Sequence, residues 1–294
     1  MNLSINSLIK KATNFINSEN KVSKLKDYYR AKFKKQHQIK TLERLMPERL
    51  LADSYQDSPE FYKVKSLKLE NLKISNSKSI KMYFYYSNIL FYLFEEVFMR
   101  DSYKFKSKKR NPFIIDCGGN IGMTTMYFKY LYPQSEILVF EPSSINFELL
   151  EKNIAVNHLN HVTCIQKALY NKKDIVNLEA SGTGFGSFII GFNSYEKEKI
   201  ETDLLSNYIN KEVDLLKIDI EGSEGAVIED LSINKKLKFI KQIVMEYHYS
   251  SEIFQSNNLA KILHLLISNN FHCEIKNSME LGVTIFLIHA YNNN

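Results

Sequence analysis

The run from Phe113 to Gly122, FIIDCGGNIG, constrains the fold of this chain more than any other stretch. Pro112 introduces an apolar segment without the alternation of a half-exposed strand, the pattern of a central strand covered on both faces of a parallel sheet. Gly118, Gly119 and Gly122 then allow a sharp turn, positive φ and close approach of the backbone to a ligand. Asn120 is placed to cap the following helix, whose Met123, Met126, Tyr127 and Tyr130 recur at three- and four-residue spacing. A strand that ends in a glycine turn at a helix N-terminus is where open α/β sheets bind nucleotide-like ligands. An ordinary tight turn between strand and helix uses the same residues, so the rest of the chain has to decide.

The missing glycines narrow the ligand. A dinucleotide fingerprint, G-x-G-x-x-G, seats a pyrophosphate on the helix N-terminus. Counted from Gly118, Asn120 and Met123 stand where the other two glycines belong, and no G-x-x-x-x-G-K-[ST] phosphate loop occurs. The motif present is D-x-G-x-N-x-G, with the Asp116 carboxylate at the strand tip. A carboxylate repels phosphate and suits a cation. S-adenosylmethionine carries an ammonium and a sulfonium and no phosphate, and it becomes the expected cofactor.

The other elements fall into register with this reading. Ile137–Phe140 is a second buried strand ending in Glu141, and Pro142 with Ser143 and Ser144 starts a helix through about Val156. Glu141, 25 residues after Asp116, is placed to bond both ribose hydroxyls. Val162–Gln166 is the third strand, which puts Lys167 and Ala168 beside the adenine. Residues 175–191 read as a mobile hairpin around the glycine turn Ser181–Gly186. Val213–Gly222 is the fourth strand with its exit turn, and Ser223 and Glu224 open a helix to about Leu231. Ile240–Tyr247 is the fifth strand, with Glu246 and His248 at its end. A helix over Leu259–Ile267 and a closing hairpin, Phe271–Lys276 and Val283–His289, turned through Ser278–Gly282, complete the chain. Asp116, Glu141, Asp219, Glu221, Glu246 and His248 therefore converge on the crevice at the C-terminal strand ends.

Charge divides the chain. Residues 1–50 hold twelve Lys or Arg against four Asp or Glu, a net +8, which leaves −2 for the remainder of a chain whose total is +6. A nearly neutral main body lacks the basic footprint of a nucleic-acid groove. The basic arm, with apolar positions such as Leu8, Phe15, Leu25 and Phe33 among its lysines, reads as helical. It either packs one face on the domain or touches a membrane surface or an acidic partner. Domain organisation follows: a basic helical extension over 1–60 and one α/β domain over 61–294. Short alternating strands are expected from Val64 to Tyr86. A helix capped by Ser87 or Asn88 carries Ile89, Leu90, Leu93, Phe94, Val97 and Phe98 on one face, as core or as a lid. The uncharged run Met82–Phe94 is shorter than the ~20 residues of a membrane-spanning helix. Cys117, Cys164 and Cys273 form no spaced framework, which suits a reduced compartment. The expectation is a soluble cytoplasmic protein, peripheral at the inner membrane surface if the arm docks there. Cys117 is read as a packing residue.

The segments Glu95–Phe98 with Tyr103, Ile115–Gly122, Phe140–Pro142, Leu216–Glu224 and Glu246–His248 together resemble the FkbM-type family of S-adenosylmethionine-dependent methyltransferases. The resemblance covers residues 80 to 250. It implies a Rossmann-like class I methyltransferase fold, a seven-stranded, mostly parallel sheet with the last strand antiparallel. It also implies O-methylation of hydroxyls on glycans or natural products. By the same resemblance Asp116, Gly118, Asn120 and Gly122 form the methionine-side loop, Glu141 anchors the ribose, and Asp219 and Glu221 border the transfer crevice. Gly119 stands where the family commonly has alanine, a small-for-small change expected to leave the site undisturbed.

An alcohol needs its proton to leave as it attacks, so a base is required. His248, with an ordinary pKa of about 6.5, is the first candidate, and Asp219 or Glu246 the next. His248, Asp219 and Glu221 can also hold a divalent ion, and the metal stays open. The expected acceptor is a glycan or a small hydroxylated molecule. A nucleic-acid methyltransferase is the alternative, against which stands the exit Asp219-Ile220-Glu221-Gly222 in place of an N/D-P-P-aromatic turn. A non-catalytic cofactor-binding partner protein is the other.

Overall fold

The computed structural model describes residues 65–74, 77–84, 87–180, 187–188, 197–248, 257–277 and 285–293. The basic extension 1–60 and the turns expected at 181–186 and 278–282 lie outside them. The described residues divide into two compact units between Ser102 and Tyr103. Among them no helix is long and apolar enough to cross a membrane.

In the first unit, β1 (Lys65–Ile74) and β2 (Ser77–Phe84) pair antiparallel, with Leu69 opposite Ile80 and Leu67 opposite Met82. Ile80, Met82 and Phe84 are buried while Lys81 is exposed, the period-two alternation of a sheet covered on one face. Helix α1 (Ser87–Phe94) follows and widens into a π-helical turn over Glu95–Met99. There the Arg100 N–H donates to the Glu95 carbonyl, five residues back, at 2.9 Å. Leu90, Phe94, Val97 and Phe98 are all buried, and the rings of Phe94 and Phe98 stack at 5.2 Å. The apolar face read from the sequence is core.

The second unit begins with β3 (Phe113–Cys117), α2 (Met123–Leu131), β4 (Glu136–Phe140), α3 (Ser144–Val156) and β5 (Val162–Ile165). Strands β6 (Ala168–Leu169), β7 (Asp174–Ala180), β8 (Ser187–Phe188) and β9 (Lys197–Asp203) come next. The chain then returns through β10 (Leu215–Ile218), α4 (Glu224–Ile233), β11 (Gln242–His248), α5 (Leu259–Ser268), β12 (Phe271–Asn277) and β13 (Ile285–Asn292). The main sheet has seven strands in the order β12-β13-β11-β10-β3-β4-β5. Only β13 runs against its neighbours, so the last strand is the antiparallel one.

Every residue of β3 is buried, as its unbroken apolar run requires of the strand at the centre. Ile115 and Cys117 join Leu216, Ile218, Val227 and Met245 in the main core cluster. Burying each of the larger of these side chains contributes about 1.5–3 kcal/mol. Between β5 and β10 the chain crosses back to the other side of β3. That reversal opens a crevice at the C-terminal tips of β3 and β10, the switch point at which open α/β sheets take ligands.

Two features depart from the sequence reading. Helix α2 starts at Met123 with Gly122 at its N-cap, in the left-handed region at φ 94°. Asn120 is therefore not the cap. It lies in the turn at φ 47°, its Oδ1 accepting the Ile121 N–H at 2.7 Å. The second departure is a four-stranded sheet, β6-β9-β7-β8. The expected hairpin is its β7–β8 pair, but β9 has the sequence KEKIETD and offers a single apolar residue, Ile200. That residue joins Ala168 and Leu178 in a small core, too sparse a signal to read as a strand.

Candidate functional site

The glycine turn is built by contacts that no side chain tolerates. Gly118 has φ 88°, and a Cβ there would lie 1.9 Å from the Asp219 carbonyl oxygen. Gly118 and Gly119 both donate their N–H to the Phe140 carbonyl at 2.9 Å, which ties the turn to the tip of β4. The Asp219 N–H donates to the Cys117 carbonyl at 3.1 Å and ties the same turn to the exit of β10. Cys117 is fully buried and burial pushes its thiol up, as a packing residue requires. At Gly119 the smaller residue suits the packing of the turn. A Cβ on Gly119 would meet the Val139 Cγ1 at 2.3 Å.

An open cleft of about 600 Å³, counted to its solvent mouth, lies against this turn. Gly118, Asn120, Glu141, Lys167, Ala168, Asp219 and Glu221 line it, seven of the residues singled out from sequence. Phe140, Leu169 and Leu178 add an apolar wall, a role the sequence reading gave to none of them. Glu141 holds the turn from the other side. Its Oε2 accepts the Asn120 N–H at 2.8 Å and its Oε1 the Ser143 N–H at 3.0 Å. Burial raises the Glu141 carboxyl from 4.5 to about 7, against the pull of those two N–H groups and of Lys217. Lys167 lines the cleft with its ammonium already committed, 3.2 Å from Glu201 and 3.4 Å from Asp203.

Asp116 does not line the cleft. The residue is fully buried. Its Oδ2 accepts hydrogen bonds from Thr124 Oγ1 at 2.6 Å and Thr125 Oγ1 at 3.2 Å, both on α2. Its Oδ1 lies 3.3 Å from Lys217 Nζ. Lys217, missed at the sequence level, is buried at the hub of the site. Its ammonium donates to the Gly118 carbonyl at 2.6 Å and lies 3.3 Å from Asp219 Oδ2. Burial lowers its pKa, and the Coulomb field of Asp219 and Asp116 outweighs that and raises it, so the charge is kept. A lysine inside an otherwise apolar strand was the available signal, because lysine is buried only when paired.

His248 is the centre of a second group at the tip of β11. Its Nε2 lies 3.3 Å from Glu221 Oε2 and 3.9 Å from both Asp219 Oδ1 and Glu246 Oε2. Its Nδ1 faces Glu224 Oε1 at 3.0 Å. Glu221 reaches this position from a left-handed backbone at φ 54°, uncommon for a side chain of its size. Asp219, Glu221 and His248 each offer a ligand atom, all within 4.8 Å of one another. The structure thus brings together Asp219, Glu221, Glu246 and His248 as expected, and adds Glu224. Burial lowers the His248 pKa, but Glu221, Glu224 and Asp219 outweigh it and lift the value to about 10.

The remaining features fit the expected cofactor. A turn closed to any Cβ lets a ligand meet backbone, an acid at the tip of β4 faces the cleft, and an apolar wall suits a purine. Residues 116–273 match the family model described as the methyltransferase FkbM domain. Similar curated proteins include methyltransferase sdnD of Sordaria araneosa, 26% identical over 53% of this chain and 73% of that protein. Methyltransferase 1 of Beauveria bassiana is 28% identical over 53% of this chain and 72% of its own length. Among solved structures, M. jannaschii TYW2 in complex with AdoMet is 12% identical, covers 79% of this chain and 87% of that chain, and superposes with a TM-score of 0.41. The family match spans more than half of the sequence and contains the turn, Glu141 and the His248 cluster, and the chain belongs to the FkbM methyltransferase family.

Proposed function

We propose that this methyltransferase transfers a methyl group from S-adenosylmethionine to a hydroxyl of a sugar, on a glycan or a glycan precursor. The observation that carries the reading is the adjacency of two chemistries at one switch point. A cleft with an acid for ribose hydroxyls opens directly onto Asp219 and Glu221, which belong to the carboxylate cluster. The cofactor supplies a methyl group already activated on a sulfonium, so the protein has to align an oxygen and accept a proton. Glu141 holds the ribose side, while Phe140, Ala168, Leu169 and Leu178 pack the base. Gly118 and Asn120 border the methionine end, where Asp219 supplies the negative charge that Asp116 was expected to give.

Proton acceptance falls to a carboxylate. Asp219 faces Lys217 and the Tyr103 hydroxyl, which donates to it at 3.3 Å, and Glu224 is held by His248 and Asn257. Glu246, at the end of β11 beside this cluster, is assigned as the base. The alcohol oxygen attacks the methyl carbon, the carbon–sulfur bond breaks, and the hydroxyl proton passes to Glu246. Four carboxylates around the crevice disfavour a phosphate-rich acceptor, which supports a sugar over a nucleic acid.

Transfer of labelled methyl into cell extract, separated into glycan, lipid, nucleic acid and protein, tests the reading. Label is expected in glycan or glycolipid. Glu246→Gln is expected to slow transfer by about 10²–10⁴-fold with cofactor affinity retained. Label confined to RNA, or cofactor binding with no transfer to any fraction, overturns it.

A further inference from the structure

The group around His248 is built to fix the direction of the imidazole ring. Glu224 is fully buried at the first turn of α4, and its Oε2 accepts a hydrogen bond from Asn257 Nδ2 at 2.6 Å. Asn257 is itself fixed from three sides. Its Nδ2 also donates to the His248 carbonyl at 2.8 Å, its Oδ1 accepts the Gly225 N–H at 2.9 Å, and its carbonyl accepts the Tyr247 hydroxyl at 2.6 Å. The other oxygen of Glu224 takes the Gly222 N–H at 3.0 Å and faces His248 Nδ1. One ring nitrogen of a histidine that is only 9% exposed is thereby committed, and the other is aimed at carboxylates. A buried carboxylate that orients a histidine by one nitrogen while the second points into acids is how metal-binding histidines are held.

We infer that Asp219, Glu221 and His248 bind a divalent cation of the Mn²⁺ class, with Glu246 at the edge of its coordination sphere. The distances from the imidazole suit one ion. Ligand atoms about 2.0–2.2 Å from a metal stand at most about 4.4 Å apart. The separations from Nε2 to Glu221, Asp219 and Glu246, at 3.3, 3.9 and 3.9 Å, all fall inside that span. One imidazole among carboxylates selects a borderline transition ion over a purely oxygen-bound one, and the cleft leaves room for water or an acceptor oxygen. An acceptor hydroxyl on such an ion becomes more acidic, which eases proton loss to Glu246. This role in transfer rests on the function proposed above, whereas cation binding does not.

The test uses the full chain after chelation, titrated with Mn²⁺ and followed by loss of the free-ion electron paramagnetic signal. Saturation at one ion per chain is expected, with imidazole nitrogen modulation in the pulsed spectrum of the wild-type complex. The spectrum requires no variant, so it stands even if a substitution prevents folding. Glu221→Gln and His248→Ala should each weaken binding by at least 10-fold. Glu224→Gln, which removes no ligand, should weaken it by about 10–100-fold. Glu229→Gln, half-buried on α4 and paired with Lys261 away from the cluster, should leave it unchanged. Absence of stoichiometric binding, absence of nitrogen modulation, or equal loss in Glu229→Gln overturns the inference. Metal binding without methyl transfer would sink the proposed activity alone, and transfer in a chain that binds no ion would sink the cation site alone.

Discussion

Replacing Gly119 by alanine tests the packing of the cofactor turn at its tightest point. The new Cβ would sit 2.3 Å from Val139 Cγ1 and 3.3 Å from Leu150 Cδ2. Val139 is fully buried on β4 and, being β-branched, has little rotamer freedom with which to move away. The turn cannot slide either, because the Gly119 N–H is held by the Phe140 carbonyl at 2.9 Å. Overpacking of this kind costs about 1–3 kcal/mol. At about 2–4 °C per kcal/mol for a domain of this size, Gly119→Ala should lower Tm by about 2–12 °C. Val139→Ala alone removes two buried methyl groups at about 0.8 kcal/mol each and leaves a cavity, for a cost of about 2–3 kcal/mol. In the double variant the alanine methyl occupies the room that valine vacates, so the two costs should fail to add by about 1–3 kcal/mol. Thermal or denaturant melts of the four proteins provide the cycle. Additive costs, or a Gly119→Ala protein as stable as its parent, would refute the reasoning.

Two further outcomes follow from buried charges. The Glu141 carboxyl rises from 4.5 to about 7, so between those values the folded chain keeps a proton that the unfolded chain has released. Stability should therefore fall as pH rises through that window, by up to about 3 kcal/mol, and Glu141→Gln should flatten this component in melts taken across it. Lys217→Met leaves Asp116 buried without its cation and Asp219 without one of its partners, which should cost about 3–5 kcal/mol. Adding Asp116→Asn to Lys217→Met should recover part of that loss. A melting temperature unmoved by Lys217→Met would show the ammonium to be dispensable.

The central sheet was legible because its strands are buried on both faces. Runs such as Phe113–Ile115, Ile137–Phe140 and Leu215–Ile218 have one physical solution, a covered parallel sheet, and their order in the chain with the glycine turn dictates where the crevice opens. Strand β9 escaped notice because a strand of so small a sheet, though it lies between β6 and β7, needs only Ile200 on its inner side, and its charges carry no period. Residue type alone also marked Glu141, Asp219, Glu221, Glu246 and His248 as acids or a histidine at strand tips. What each of them does depends on neighbours far along the chain. Asp116 turns away from the cleft because Thr124, Thr125 and Lys217, 101 positions from it, satisfy it inside. His248 is oriented as it is because Glu224 and Glu221 arrive beside it from another strand's exit. The sequence by itself determined the sheet, its switch point and the chemical kinds of group gathered there, since these follow from local hydrophobicity and strand order. Which carboxylate is buried, which faces the cleft and which nitrogen meets which oxygen were decided only in the tertiary structure, because burial and Coulomb forces act between atoms brought together by folding.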